Sequence, residues 1–215
     1  MIGMLPSSQK LLQALAAGVH RIGEIEILPI DLNIRFKLCH FQDVGLLGVA
    51  AGGGLRVYDG PAAVRDIGSY GEDGSYRYLK AQENLRRGWE LRLSGVDDLR
   101  LALDEFYPAC VGLWLAQGEG RLEVQHLRDK LQRQTGIYRR SQALSDDALQ
   151  QLVPATCSAS VPCARRILWQ IDAHTPLDAS PASQCRGIAS GVADAEAIPL
   201  LCREACNSFV AGCLR

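Results

Sequence analysis

The sequence predicts an α+β protein, with a small, mostly antiparallel β region with helices over residues 1–93 and a mainly helical, cysteine-rich domain over residues 94–215. Three observations predict it. Apolar and polar residues alternate in several short runs before Leu93, as half-buried strands require. After Ser94 the apolar period lengthens from two toward 3.6. Six of the eight cysteines lie beyond residue 156.

The chain has 215 residues, 47% of them hydrophobic and 22% charged, which suffices for a buried core in one or two domains. Its net charge of -1 carries no basic excess, so no nucleic-acid partner is expected. The apolar residues of Met1 to Ala17 are interrupted by Ser7, Ser8, Gln9 and Lys10, and no secretory cleavage site follows. No run reaches the roughly 18–20 apolar residues of a spanning helix. A cytoplasmic protein without membrane contact is the expectation.

The first element is a short amphipathic helix over Gln9 to Ala17, carried by Leu11, Leu12 and Leu15, with Ser7 and Ser8 as capping candidates. Glu24 to Ile27 and Ile34 to Cys39 alternate as the two arms of a hairpin turning at Asp31 to Asn33. A further strand is expected at Leu55 to Tyr58, and a helix opens at Pro61, where a missing N–H costs nothing, and runs to Ile67. Tyr76 and Tyr78, then Trp89, Leu91 and Leu93, mark two more strands.

In the second region Val96, Leu99, Leu103 and Phe106 define one helical face, with Asp97 and Asp98 at its positive N-terminus. The apolar run Val111 to Ala116 fits either element type. Helices are expected from Leu122 to Leu131 and from Ser145 to Leu152, the latter stopped by Pro154, and another over Arg165 to Trp169. Thr175 to Ala197, rich in Pro, Ser, Ala and Gly, reads as an exposed loop before a last helix over Leu201 to Leu214.

Cysteine distribution carries the chemistry. Cys39 and Cys110 sit in apolar surroundings, where a cysteine serves as a small hydrophobe. Cys157 and Cys163 are separated by five residues, while Cys202 and Cys206 stand four apart, on one face if that segment is helical. Two such pairs make a four-thiolate site suited to a [4Fe-4S] cluster, one thiolate per iron. A tetrahedral zinc site could use the same four residues, although its pairs are usually closer in sequence than Cys157 and Cys163. Cys185 and Cys213 remain alternative ligands. His20, His40, His126 and His174 have no spacing that suggests a shared metal.

Several short stretches, in order, carry a resemblance. They are Arg21-Ile22-Gly23-Glu24, Phe36-Lys37-Leu38-Cys39-His40-Phe41-Gln42-Asp43, Tyr76-Arg77-Tyr78-Leu79-Lys80, Asn84-Leu85-Arg86-Arg87-Gly88-Trp89, Tyr107-Pro108, Arg133-Gln134-Thr135-Gly136-Ile137-Tyr138 and Cys202-Arg203-Glu204-Ala205-Cys206-Asn207. Together they resemble the non-catalytic region of multidomain, sirohydrochlorin-chelatase-like (CbiX-like) bacterial proteins. The resemblance implies a stabilising domain followed by a [4Fe-4S]-binding domain, with Cys157, Cys163, Cys202 and Cys206 matching the cluster ligands. The chelatase domains are not expected within these residues.

The expected function is therefore a [4Fe-4S] module with a redox, sensing or structural role, accessory to tetrapyrrole metabolism. A chelatase, another tetrapyrrole enzyme or a redox donor would be its protein partner. Two alternatives stand beside it: a zinc-stabilised adaptor, and an enzyme gripping a carboxylated tetrapyrrole through Arg77, Lys80, Arg86, Arg87, Arg133 or Arg139.

Overall fold

The computed structural model describes residues 5–31, 35–48, 54–68, 85–123, 125–127, 143–157, 165–171, 197–198, 200–202, 209 and 212. Its strands are β1 (Arg21–Ile22), β2 (Ile25–Ile30), β3 (Arg35–His40), β4 (Arg56–Asp59), β5 (Trp89–Leu93), β6 (Gln125–His126), β7 (Arg165–Ile167), β8 (Trp169–Gln170), β9 (Ala197–Ile198) and β10 (Leu200–Cys202). Its helices are α1 (Pro6–Ala16), α2 (Val64–Gly68), α3 (Val96–Phe106), α4 (Cys110–Gly118) and α5 (Asp146–Cys157). Among the described residues, no helix is long and apolar enough to cross a membrane.

Two compact units divide the chain: Met1–Glu119 with Val192–Pro199, and Gly120–Gly191 with Leu200–Arg215. The first is built on a six-stranded sheet ordered β4-β5-β3-β2-β1-β9. The expected hairpin forms β2 and β3, paired antiparallel from Ile25↔His40 to Ile30↔Arg35. β3 pairs antiparallel with β5, whereas β4 joins β5 and β9 joins β1 in parallel, so the sheet is mixed. Alternation drives this assembly: Ile25, Ile27, Phe36, Leu38, Trp89, Leu91 and Leu93 are all buried.

The helical face of α3 buries Val96, Leu99, Leu103 and Phe106, and the Phe106 ring stacks on Trp89 of β5 with centroids 5.3 Å apart. This contact belongs to the first unit's own core. The change of period after Ser94 thus signals a helix laid on the sheet, and the unit runs on to Glu119, past the boundary expected after Leu93. Val111 to Ala116 falls within α4. At the N-terminus of α1 the capping position is Leu5, with Pro6 in the first turn, instead of Ser7 or Ser8. Ser8 is buried and donates to Asp97 Oδ1 of α3.

The second unit departs further from the expected helices. Its described residues hold α5, the short strands β6, β7, β8 and β10, and helical backbone at Leu127, Phe209 and Gly212, within the helices expected over Leu122–Leu131 and Leu201–Leu214. β7 pairs in parallel with β10, and β6 in parallel with β8. The stretches expected to be helical at Arg165–Trp169, around Gln125–His126 and at Leu201–Cys202 are therefore extended over these residues. Ile167, Trp169 and Ile171 are β-branched or aromatic, types that favour a pleated, half-buried surface. Ile198 precedes Pro199, which confines it to extended conformations just ahead of β10.

Ser145 caps α5 as expected, its Oγ accepting from Ala148 N at 3.2 Å. The helix then continues through Pro154 to Cys157. Pro154 forfeits one backbone donor, but Leu149 and Val153 are fully buried, and their packing outweighs one missing bond. The core of this unit joins Leu127, Leu149, Val153, Trp169, Ile171 and Phe209.

Candidate metal centre

Two of the four proposed ligand positions fall on described backbone. Cys157 closes α5, four residues or about one turn beyond the buried Val153. Cys202 closes β10, where it is the register partner of Ile167 and its carbonyl accepts from Leu168 N at 2.9 Å. Cys202 is half-buried and packs against the core that contains Val153 and Trp169. The elements ending in Cys157 and Cys202 thus share one hydrophobic core, although 44 residues separate them in sequence.

Cys163 precedes β7 by two residues, and Cys206 follows Cys202 by four; both lie outside the described residues, as do Cys185 and Cys213. Because Cys202 stands in a strand, the one-face helical argument for Cys202 and Cys206 does not hold at Cys202. Among the described residues, no group of three or more His, Cys, Asp or Glu could hold a metal ion.

The donor chemistry suits an iron–sulfur centre in this unit. All six late cysteines belong to its chain segments, and Cys202 packs, like Leu144 and Leu152, against an apolar core, an environment that limits solvent access to a bound cluster. One polar atom in this core stands out. Trp169 is 1% exposed, and its Nε1–H is buried with no hydrogen-bond acceptor among the described residues.

The remaining cysteines are held away from metal chemistry. Cys39 is fully buried in β3, opposite Glu26 of β2 and Glu90 of β5. Burial, reinforced by the negative charge of Glu26, Asp43 and Glu90, pushes its thiol up to about 12. It stays a protonated hydrophobe. Cys110 is also buried, and its Sγ donates to Leu103 O at 3.3 Å.

The histidines and arginines sort in the same way. His40 is buried, stacks on Phe41, and accepts from Gln42 N at 3.2 Å through Nδ1, a turn-capping role. His20 meets the carbonyl of Gly18 at 2.9 Å, while His174 lies outside the described residues. Arg86 donates to the Tyr58 hydroxyl at 2.7 Å, and Arg87 pairs with the buried Asp43 at 2.8 Å. Arg77, Lys80, Arg133 and Arg139 are outside the described residues. A cleft of about 440 Å³ at one end of the large sheet presents Arg35, Lys37 and Arg92. Arg35 is already paired with Asp31, and Lys37 and Arg92 both with Glu90, so each of these cleft cations already has a carboxylate partner.

Sequence reasoning missed the polar clamps of the first unit. Glu24 accepts from Leu85 N at 2.6 Å, and its own N–H donates to the Tyr107 hydroxyl at 3.1 Å. Asp43 accepts from Arg87 Nε at 2.9 Å and from Gly88 N at 2.7 Å. Arg21 lies with its guanidinium 3.7 Å from the centroid of Phe41. These residues belong to the stretches that carried the resemblance, so their order in the sequence was the available signal.

Comparison with known proteins agrees with this division. Residues 8–118 match the family model of the DR2241 stabilising domain, and residues 119–215 match that of a 4Fe-4S iron-sulfur cluster binding domain. The second match contains all six late cysteines and neither Cys39 nor Cys110. Residues 119–215 thus constitute a 4Fe-4S-binding domain. Among solved structures the chain is similar to DR2241 from Deinococcus radiodurans, described as a multi-domain protein with structural similarity to chelatases and two additional novel domains. That similarity has a TM-score of 0.67 and 26% identity, and it covers 96% of this chain. This chain spans 40% of DR2241. No curated protein matches.

Proposed function

This chain belongs to the DR2241 stabilising domain family, and from that premise we propose that it is an electron-transfer module whose single [4Fe-4S] cluster serves a chelatase-like partner acting on tetrapyrroles. The ligands are Cys157, Cys163, Cys202 and Cys206. The observation that carries this choice is the shared core: the helix ending at Cys157 and the strand ending at Cys202 both build on Leu149, Val153 and Trp169. Cys163 and Cys206 are the nearest cysteines in sequence to these two, so short lengths of chain can complete the cage.

When bound, the cluster supplies a one-electron couple whose potential depends on hydrogen bonds to sulfur and on solvent access. The chain's own residues set both. The buried core on which Cys202 packs keeps water from one side of it, and the β7–β10 pairing fixes its backbone. In the proposed cycle one electron enters from a redox donor protein and one leaves to the partner. The cytoplasm is the proposed location, because its thiols are kept reduced.

The DR2241 similarity supports the link to chelatase-type chemistry, and the paired state of the cleft cations in the first unit favours a module over an enzyme with its own tetrapyrrole pocket. The test is anaerobic purification followed by a redox titration monitored by visible absorption and electron paramagnetic resonance. The proposal expects a brown protein that bleaches and recovers reversibly over one electron per chain. A colourless, zinc-loaded protein, or a cluster that cannot be cycled, would overturn the electron-transfer reading.

A further inference from the structure

The geometry points to Trp169 as a hydrogen-bond donor to the cluster, its indole N–H directed at a cluster sulfide or a ligand thiolate. Three observations carry this. Trp169 is among the largest fully buried side chains of the molecule, yet its Nε1–H has no acceptor among the described residues. A buried donor without an acceptor forfeits the hydrogen bond it had in water, and native cores rarely leave one so. Such an orphan calls for an acceptor that the described residues do not provide.

The second observation is position. Trp169 stands two residues beyond Ile167, the register partner of Cys202, and the intervening Leu168 N–H is bonded to the Cys202 carbonyl. The third is packing, since Cys202 lies against the same core cluster that contains Trp169. The other indole described in a strand behaves differently: Trp89 Nε1 donates to Arg86 O at 2.5 Å. Trp169 is thus a buried aromatic donor, beside a proposed ligand, lacking the carbonyl that Trp89 has.

An N–H donated to sulfur stabilises the reduced, more negative cluster over the oxidised one and raises its potential. The role of Trp169 rests on the cluster assignment above, so the experiment reads loading and tuning separately, on the full chain loaded with iron and sulfide. Trp169→Phe keeps the ring and removes the donor. The expected result is an unchanged iron and sulfide content, with the oxidised-to-reduced ratio at fixed potential raised about tenfold, a shift of about 59 mV to more negative potential for one electron. Full loading with an unshifted potential would overturn the Trp169 role and leave the cluster assignment intact. Failure of the unaltered chain to load would overturn the assignment itself.

A second measurement needs no variant to fold. In the loaded, ¹⁵N-labelled protein the indole N–H resonance of Trp169 should be shifted or broadened by the cluster's paramagnetism. A sharp, unshifted Trp169 signal would overturn the proposal.

Discussion

Trp169 and Phe209 meet with ring centroids 5.4 Å apart and planes tilted by 58°, an arrangement aromatic pairs favour over flat stacking. Trp169 follows Cys163 by six residues, and Phe209 follows Cys206 by three. The contact therefore ties the segment after the first cysteine pair to the segment after the second. It adds an aromatic link to the β7–β10 pairing and to the packing of Cys202 on the same core.

Phe209→Ala should consequently cost about 3–5 kcal/mol in the second unit, the range for emptying a buried aromatic site. Denaturant titration of the cluster-loaded protein, followed by visible absorption, would read this as earlier cluster release. Unaltered release would mean that the aromatic contact does not support the cysteine segments.

Asp43 is 1% exposed and joins the turn after β3 to the start of β5 through Arg87 and Gly88. Asp43→Ala leaves the Gly88 N–H without that acceptor and should destabilise the first unit by about 2 kcal/mol or more. Arg87 is 45% exposed and can be rehydrated, so Arg87→Ala should cost less. Thermal denaturation of both variants decides the order, and an equal or larger loss for Arg87→Ala would contradict the assignment of Asp43 as the anchor.

Alkaline stability should depend on Cys39. Burial, with the nearby carboxylates, pushes its thiol from the usual 9.0 up to about 12 in the folded chain. Above pH 9 the unfolded chain releases this proton while the folded chain keeps it. The contribution is whole below about pH 9 and is lost as the pH rises toward 12. Unfolding free energies measured between these limits should fall less steeply for Cys39→Ala than for the parent, and identical slopes would contradict the burial argument.

The acid limb belongs in part to Glu90. Burial alone would push its carboxyl up, but hydrogen bonds and charge from Arg92, at 2.7 Å, and Lys37, at 3.3 Å, outweigh it and hold the group below its usual 4.5. The unfolded chain therefore takes up the proton first as the pH falls. Stability from Glu90 is present above pH 4.5 and lost below it as the lowered value is crossed. Glu90→Gln should be less stable near neutrality and lose proportionally less on acidification, as read by denaturant midpoints at pH 7 and pH 3.5. A loss on acidification as large as the parent's would remove Glu90 from the account.

The first unit was largely legible in the sequence because its strands alternate and α3 repeats its apolar face at helical spacing. Ile25, Ile27, Phe36, Leu38, Leu99 and Leu103 announced their burial by position alone. The boundary after Leu93 was not legible, since a helix packed on its own sheet changes the period without leaving the unit. In the second unit short apolar runs misled. Arg165 to Trp169 is too brief for its period to separate helix from strand, and pairing with distant Leu200–Cys202 decides the matter. The late cysteines were legible as a group that the 4Fe-4S domain contains, while the orphaned Trp169 donor exists only once the core closes around it.

The most direct measurement is iron and acid-labile sulfide content across single Cys→Ser variants at the six late positions, prepared without oxygen. The account predicts four iron and four sulfide per chain for the parent, for Cys185→Ser and for Cys213→Ser, with marked loss for the variants at Cys157, Cys163, Cys202 and Cys206. A full complement in the Cys157 or Cys202 variant, or its loss in the Cys185 variant, would contradict it.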